Sequence, residues 1–196
     1  MNNRSKERRL SKELLLDEAK KLFSKYSYRG TTIENLTHRL GVTRPSIYYY
    51  FKNKREILSE LHAKAFNELT KNFDEIVASK LTTKEKLKKV LENHAIVVAN
   101  NAELVKIFFH DEKEIPIKLR EKIHDQRKLY TNKIIKIYDQ GIKEGVFRKD
   151  DPKLVVYLIL GSCNWLCWWY ANSGTINSES VVRSLMELLR KGYETK

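Results

Sequence analysis

With 196 residues, 41% of them hydrophobic, the chain can bury a real core in one or two domains, and seven glycines with three prolines favour long helices over a turn-rich β protein. A net charge of +13 fits a polyanion, an anionic membrane surface or an anionic ligand, so charge alone does not choose a partner. No CxxC, glycine-rich phosphate loop, HExxH or GxSxG pattern occurs, which leaves no support for an enzyme, a metal site or a resident cofactor.

Residues 2–9 are a polar, basic arm with no apolar run behind it. They read as neither a signal peptide nor a transit sequence, and the expected location is the cytoplasm. A first helix is predicted from about Lys6 or Ser11 to Tyr26, with Leu15, Ala19, Leu22, Phe23 and Tyr26 on one face and Gly30 just past its end. Thr31 or Thr32 then caps a second helix carrying Ile33, Leu36 and Leu40 at helical spacing. Gly41 interrupts it, since glycine accepts positive φ without steric cost, and Thr43 offers a capping oxygen before a short run with Pro45 in its first turn. The pattern is helix, tight turn, helix. On the second helix Ile47, flanked by Val42 and Phe51, looks inward, and Arg44, Ser46, Tyr48 and Tyr49 face out. Three consecutive tyrosines on so short a helix cannot all be core.

A helix-turn-helix sets its second helix in the DNA major groove. Arg44 is then the candidate for bidentate contact to guanine and Tyr48 for contact with a base, while Lys52, Lys54 and Arg55 at the next helix start meet phosphates. The charge agrees: residues 1–55 hold 14 Lys+Arg against 5 Asp+Glu, a net of +9, and residues 56–196 hold 24 against 20, a net of +4.

Thr31-Thr32-Ile33, Leu40-Gly41-Val42, Ile47-Tyr48-Tyr49-Tyr50-Phe51 and Lys54 with Leu58 together resemble the signature of the tetracycline-repressor (TetR) family of one-component regulators. Arg44-Pro45 departs from the pair of small residues many members carry there. The resemblance implies an all-α homodimer, with a DNA-binding domain over 1–52 and an effector-binding and dimerisation domain over 53–196. It also implies phosphate contacts from Thr32, Tyr49 and Lys54, and places Thr43, Arg44, Pro45 and Tyr48 at the bases of operator DNA.

Onward, one amphipathic helix is predicted over 53–79, the continuous rod joining the reading domain to the rest. Others follow from Thr82 or Thr83 to Asn100, over 102–110, from Pro116 to Gly141 or Gly145, from Asp151-Pro152 through Tyr170, and from Asn177 or Ser178 to Lys191, for about nine helices in all. His110-Asp111-Glu112 and His124-Asp125 are doublets whose side chains point about 100° apart on a helix, so they do not converge on a metal. Cys163 and Cys167 read as two small buried side chains in a reduced compartment. The apolar run that contains them is short for a membrane span and holds Gly161, Ser162 and Asn164, so it is expected inside protein, pairing with the last helix in a dimer interface.

Three tryptophans within five residues cannot all face one core, so some line a cavity, an interface or an exposed patch. Arg127 with Tyr130, Gly141, Gly145-Val146-Phe147-Arg148, Asp151-Pro152, Asn164-Trp165 and Trp169-Tyr170 are similar to the pattern of those TetR-type regulators that sense acyl-coenzyme A and control fatty-acid or sterol breakdown. That resemblance implies a long-chain fatty acyl-CoA effector. Phe108, Phe109, Tyr130, Trp165 and Trp169 would line its tunnel, and Arg120, Arg127, Lys128 and Lys133 would meet its phosphates at the mouth. A multidrug or aromatic-effector sensor using the same tryptophans is the alternative within the class. An acyl-CoA thioesterase-like enzyme is the alternative outside it.

Overall fold

The computed structural model describes residues 10–110, 115–170 and 177–194, so the His110-Asp111-Glu112 doublets lie largely outside the described residues. Among the described residues eleven helical segments succeed one another: α1 (Lys12–Gly30), α2 (Ile33–Leu40), α3 (Arg44–Tyr48), α4 (Lys54–Thr70), α5 (Phe73–Ala78), α6 (Thr83–Asn100), α7 (Ala102–His110), α8 (Ile117–Lys143), α9 (Pro152–Asn164), α10 (Leu166–Trp169) and α11 (Ser178–Tyr193). Among the described residues the one extended contact is an isolated antiparallel bridge between Phe147 and Glu194. The fold is all-α, as predicted.

Local chemistry sets the helix ends. Ser11 Oγ accepts the Leu14 N–H at 3.1 Å and starts α1, and Ser27 leaves the helical region at φ 63°, one residue beyond the predicted end. That break turns Tyr28 inward onto Phe23, ring centroids 5.4 Å apart and nearly perpendicular. Thr32 and Asn35 cap α2 reciprocally, and Gly41 closes it at φ 66°. Thr82 and Glu85 repeat the reciprocal cap at α6, and Asp151 accepts the Lys153 and Leu154 N–H groups at the start of α9.

Two predicted rods are each broken once, which turns about nine helices into eleven. The 53–79 helix stops at Thr70, and Asn72 takes a left-handed turn at φ 62°, a conformation asparagine tolerates better than most residues. The turn delivers Phe73 to the core, edge-on to Tyr130 at 5.6 Å. The run from Pro152 tightens at Trp165, where the Trp168 N–H bonds only three residues back.

The core has two parts. One gathers Leu15, Leu22, Phe23, Leu36, Ile47 and Phe51 with Ile57, Leu58 and Leu61 of α4, and continues into Leu104 and Phe108 of α7 and Leu119 and Ile123 of α8. The reading domain's core therefore crosses the boundary drawn at residue 52, and α1 packs directly on α7. Besides the rod of α4, the two regions thus meet through the packing of α1 on α7. The second part unites α6, α8, α9, α10 and α11 around Leu91, Ile134, Tyr138 and Cys163. At Gly141 a Cβ would lie 2.0 Å from the Phe147 ring; only glycine there lets that ring stack on Tyr138 at 5.1 Å. No helix among the described residues is long and apolar enough to cross a membrane.

Candidate DNA-reading face and effector cavity

Helix α3 is oriented by what it buries. Ile47 is fully buried and Phe51 nearly so, which leaves Tyr48 48% and Tyr49 82% exposed on the opposite side. The third tyrosine is accounted for by its phenol, since Tyr50 Oη donates to the Leu10 carbonyl at 2.9 Å and ties the end of α3 to the start of α1. Thr43, Arg44 and Pro45 are exposed, while Ser46 is half-buried with its hydroxyl 3.0 Å from that of Thr43. Arg44 forms an ion pair with Glu34 of α2, so a base contact requires its guanidinium to exchange a carboxylate for a guanine edge. Thr32 is exposed beside the free end of α2, and Lys52 is exposed.

Lys54 sits differently from a solvent-facing phosphate ligand. Its ammonium donates to the carbonyls of Tyr28 and Thr31, both at 2.7 Å, and lies 4.4 Å from the Tyr28 ring centroid. The residue binds the N-terminus of α4 to the α1–α2 corner, a structural role that the sequence did not suggest.

A cavity of about 650 Å³ lies between α4, α6, α7, α8 and α9. Each helix offers it one stripe at helical spacing: His62 and Phe66 from α4, His94 and Val98 from α6 with Asn101 just past its end, Leu104 and Phe108 from α7, Ile123, Arg127 and Tyr130 from α8, Tyr157, Leu160 and Asn164 from α9. The walls are mostly apolar, with the side chains of His62, His94, Asn101 and Asn164 set among them. The exposed rim carries Arg127, Lys128 and Lys153, with the Arg127 guanidinium 4.8 Å from the Phe109 ring centroid.

Of the predicted effector residues, Phe108, Phe109, Arg127, Lys128 and Tyr130 line this cavity. Arg120, Lys133, Trp165 and Trp169 do not. Lys133 pairs with Asp74 at 2.6 Å and belongs to a different groove, and Arg120 stands nearly two turns before Arg127 on α8. Trp165 and Trp169 sit with Ser162 on the side of α9 and α10 that faces α11, beside Val181, Leu185 and Leu188. The reason is rotational: Tyr157, Leu160, Gly161 and Asn164 share the cavity-facing stripe of α9, and residue 165 is rotated about 100° from 164.

Sequence reasoning missed the polar interior. His94 Nε2 lies 3.1 Å from Asn164 Oδ1, its ring stacks on Tyr130 at 5.7 Å, and neither His94 Nδ1 nor Tyr130 Oη has a hydrogen-bond partner. His62 packs edge-on to Phe108 at 4.8 Å. Burial holds both imidazoles down at about 4, with Lys122 and Arg127 adding to the effect at His62, so both are neutral near pH 7. Burial likewise pushes the Cys163 thiol up to about 12, far from a reactive thiolate. A histidine in step with Leu91, Ala95 and Val98 was the available signal for a buried His94.

The cavity wall also touches the junction between regions. Asn101, at the α6–α7 corner, accepts from Lys20 Nζ of α1 at 3.1 Å and donates to Glu68 of α4 at 3.0 Å. Among the described residues no group of three or more His, Cys, Asp or Glu could hold a metal ion.

Residues 15–61 match the family described as "Bacterial regulatory proteins, tetR family", and residues 80–193 match "Tetracyclin repressor-like, C-terminal domain". The Fatty acid metabolism regulator protein of Bacillus subtilis (strain 168) is 27% identical over 184 residues, which cover 93% of this chain and 95% of that protein. The crystal structure of FadR from Bacillus subtilis in complex with stearoyl-CoA superposes with a TM-score of 0.70 at 26% identity, covering 93% of this chain and 99% of that one. The ketosteroid transcriptional regulator KstR2 of Mycobacterium tuberculosis gives a TM-score of 0.86 at 24% identity, covering 94% and 95%, a likeness of fold.

Proposed function

The chain belongs to the TetR family of transcriptional regulators, and on that footing we propose that it is a homodimeric repressor released from operator DNA by a long-chain fatty acyl-CoA, controlling genes of fatty-acid degradation. The observation that carries this reading is the cavity of about 650 Å³, mostly apolar inside and basic at the rim. Its size falls in the usual range for a small-molecule site, and its charge layout matches a ligand with an apolar chain and a phosphorylated head. Burying about twelve methylenes at ~0.8 kcal/mol each offers on the order of 8–10 kcal/mol before ordering costs, enough to reset a two-state dimer. The Bacillus subtilis regulator that carries stearoyl-CoA lends support by similarity. Working on DNA, the protein acts in the cytoplasm.

Second-copy contact falls to α9, α10 and α11, where Trp165, Trp169 and Leu188 are exposed together and Leu158 of α9 is also exposed. Ligand filling the cavity presses α7 and α4 apart; α1, packed on α7 and tied through Lys20, follows, and paired α3 helices lose their match to major grooves ~34 Å apart or a multiple of it. Because Trp165 and Trp169 lie outside the cavity, an aromatic-effector sensor built on them loses its main support.

The test is a thermal-shift and operator-release titration with acyl-CoAs of increasing chain length, free coenzyme A and cationic dyes. Stabilisation and release that strengthen with chain length, and weaken when Arg127 and Lys128 are both changed to Ala, are expected. No shift with any acyl-CoA removes the lipid reading.

A further inference from the structure

We propose that the inner end of the cavity, where His94 and Tyr130 stack, is a hydroxyl-recognition site, so that the preferred effector carries a hydroxyl on its lipid portion rather than a plain hydrocarbon chain. The proposal rests on the lipid-effector reading and adds the chemistry of the lipid.

An ordinary fatty chain asks nothing of its pocket but apolar surface. This pocket offers more. His94 is 6% and Tyr130 5% exposed, both line the cavity beside Phe66, Val98, Leu104 and Leu160, and each keeps one polar atom, Nδ1 and Oη, without a hydrogen-bond partner, whereas Asn101 and Asn164 on the same wall are already engaged. Buried polar atoms are nearly always satisfied, and leaving them bare beside a hydrocarbon is unfavourable, so a fully apolar occupant is the wrong complement. The basic rim is a separate feature, built from Arg127, Lys128 and Lys153.

The identity of the missing group follows from the imidazole. His94 Nε2 is held by Asn164 at 3.1 Å, which fixes the ring and leaves Nδ1 as its only open atom. With the Asn164 oxygen accepting, Nε2 carries the proton and Nδ1 is an acceptor; with the amide reversed, Nδ1 is the donor. A hydroxyl both donates and accepts, and pairs with Nδ1 in either arrangement as well as with the Tyr130 phenol. A keto oxygen only accepts, and a carboxylate would be buried as a charge beside groups that are neutral.

The experiment uses the full chain and matched ligand pairs in isothermal titration. The first pair is a long-chain acyl-CoA and its chain-hydroxylated counterpart of equal length; the second is the same two chains as free acids, so that the inner site is also tested without coenzyme A. Preference for the hydroxylated member by roughly tenfold or more in at least one pair is expected, because a site built to hydrogen-bond a hydroxyl discriminates strongly against its absence. Tyr130→Phe, which removes one oxygen and keeps the ring packing, should erase most of that preference while the plain member binds as well or better. His94→Ala is the second variant and should act in the same direction. Equal affinity within both pairs while plain acyl-CoAs bind overturns the hydroxyl site and leaves the lipid reading standing. No binding of any ligand in either pair removes both, and preference that survives Tyr130→Phe and His94→Ala assigns the hydroxyl contact elsewhere.

Discussion

At the scale of single residues, Arg44 and Lys54 carry similar charge and opposite assignments. Arg44 is exposed and paired across the motif with Glu34, so its guanidinium is presented at the surface where α3 meets a duplex. Arg44→Ala is expected to weaken binding to the specific operator by about 1–3 kcal/mol with a much smaller effect on nonspecific DNA, measured by fluorescence anisotropy on both. Equal losses would count against base reading. Lys54→Ala should behave otherwise, because its ammonium joins two carbonyls across the α1–α2 corner and α4. Its melting curve should show a loss of about 1.5–3 kcal/mol, the usual value of hydrogen bonds to a charged group. A wild-type melting curve with weakened DNA binding would return Lys54 to a purely phosphate-binding role.

At the scale of elements, two sets of contacts join the cavity to the reading head. One is α4, which stops at Thr70 and sends Phe73 back to the core through Asn72. The other is the α6–α7 corner, where Asn101 borders the cavity and joins Lys20 of α1 to Glu68 of α4. Lys20 itself does not line the cavity. Lys20→Met should therefore leave the effector dissociation constant within about threefold and raise the effector concentration needed for half-release of operator by roughly tenfold, a coupling change near 1.4 kcal/mol. Dissociation constant and release midpoint rising in step would show that Lys20 serves binding alone. The long helix predicted over 53–79 suggested a single lever; the described contacts join the two regions through α1, α4 and α7.

For the whole molecule, two buried neutral histidines set an acid limit. The ordinary imidazole value is 6.5 and both are held at about 4, so between those values the unfolded chain binds protons that the folded chain refuses. Stability from these groups is fully present above about pH 6.5 and is lost as pH falls towards 4, with each shift on the order of 3 kcal/mol. Urea unfolding measured across that window should show stability falling before Glu18, whose pairing with Lys21 and Arg39 holds its pKa below 4.5, begins to protonate. His94→Gln should flatten part of the slope. An unchanged slope would mean that His94 is already charged, or already relieved of its burial, in solution.

The amino-acid sequence by itself determined the reading motif and the all-α class, because those depend on contacts within a turn or two. Thr32 with Asn35, Gly41 at positive φ, and Ile47 buried beneath exposed Tyr48 and Tyr49 are each legible from spacing and turn chemistry. Tertiary structure decided the candidate effector cavity, since it is a meeting of five helices and a rotation of about 100° moves a side chain from one groove to another. Trp165 thus falls towards α11 while Asn164 turns to His94, and Lys133 goes to Asp74 while Tyr130 reaches the interior. Nothing local distinguishes those neighbours; only the packing of α6, α8 and α9 against one another does.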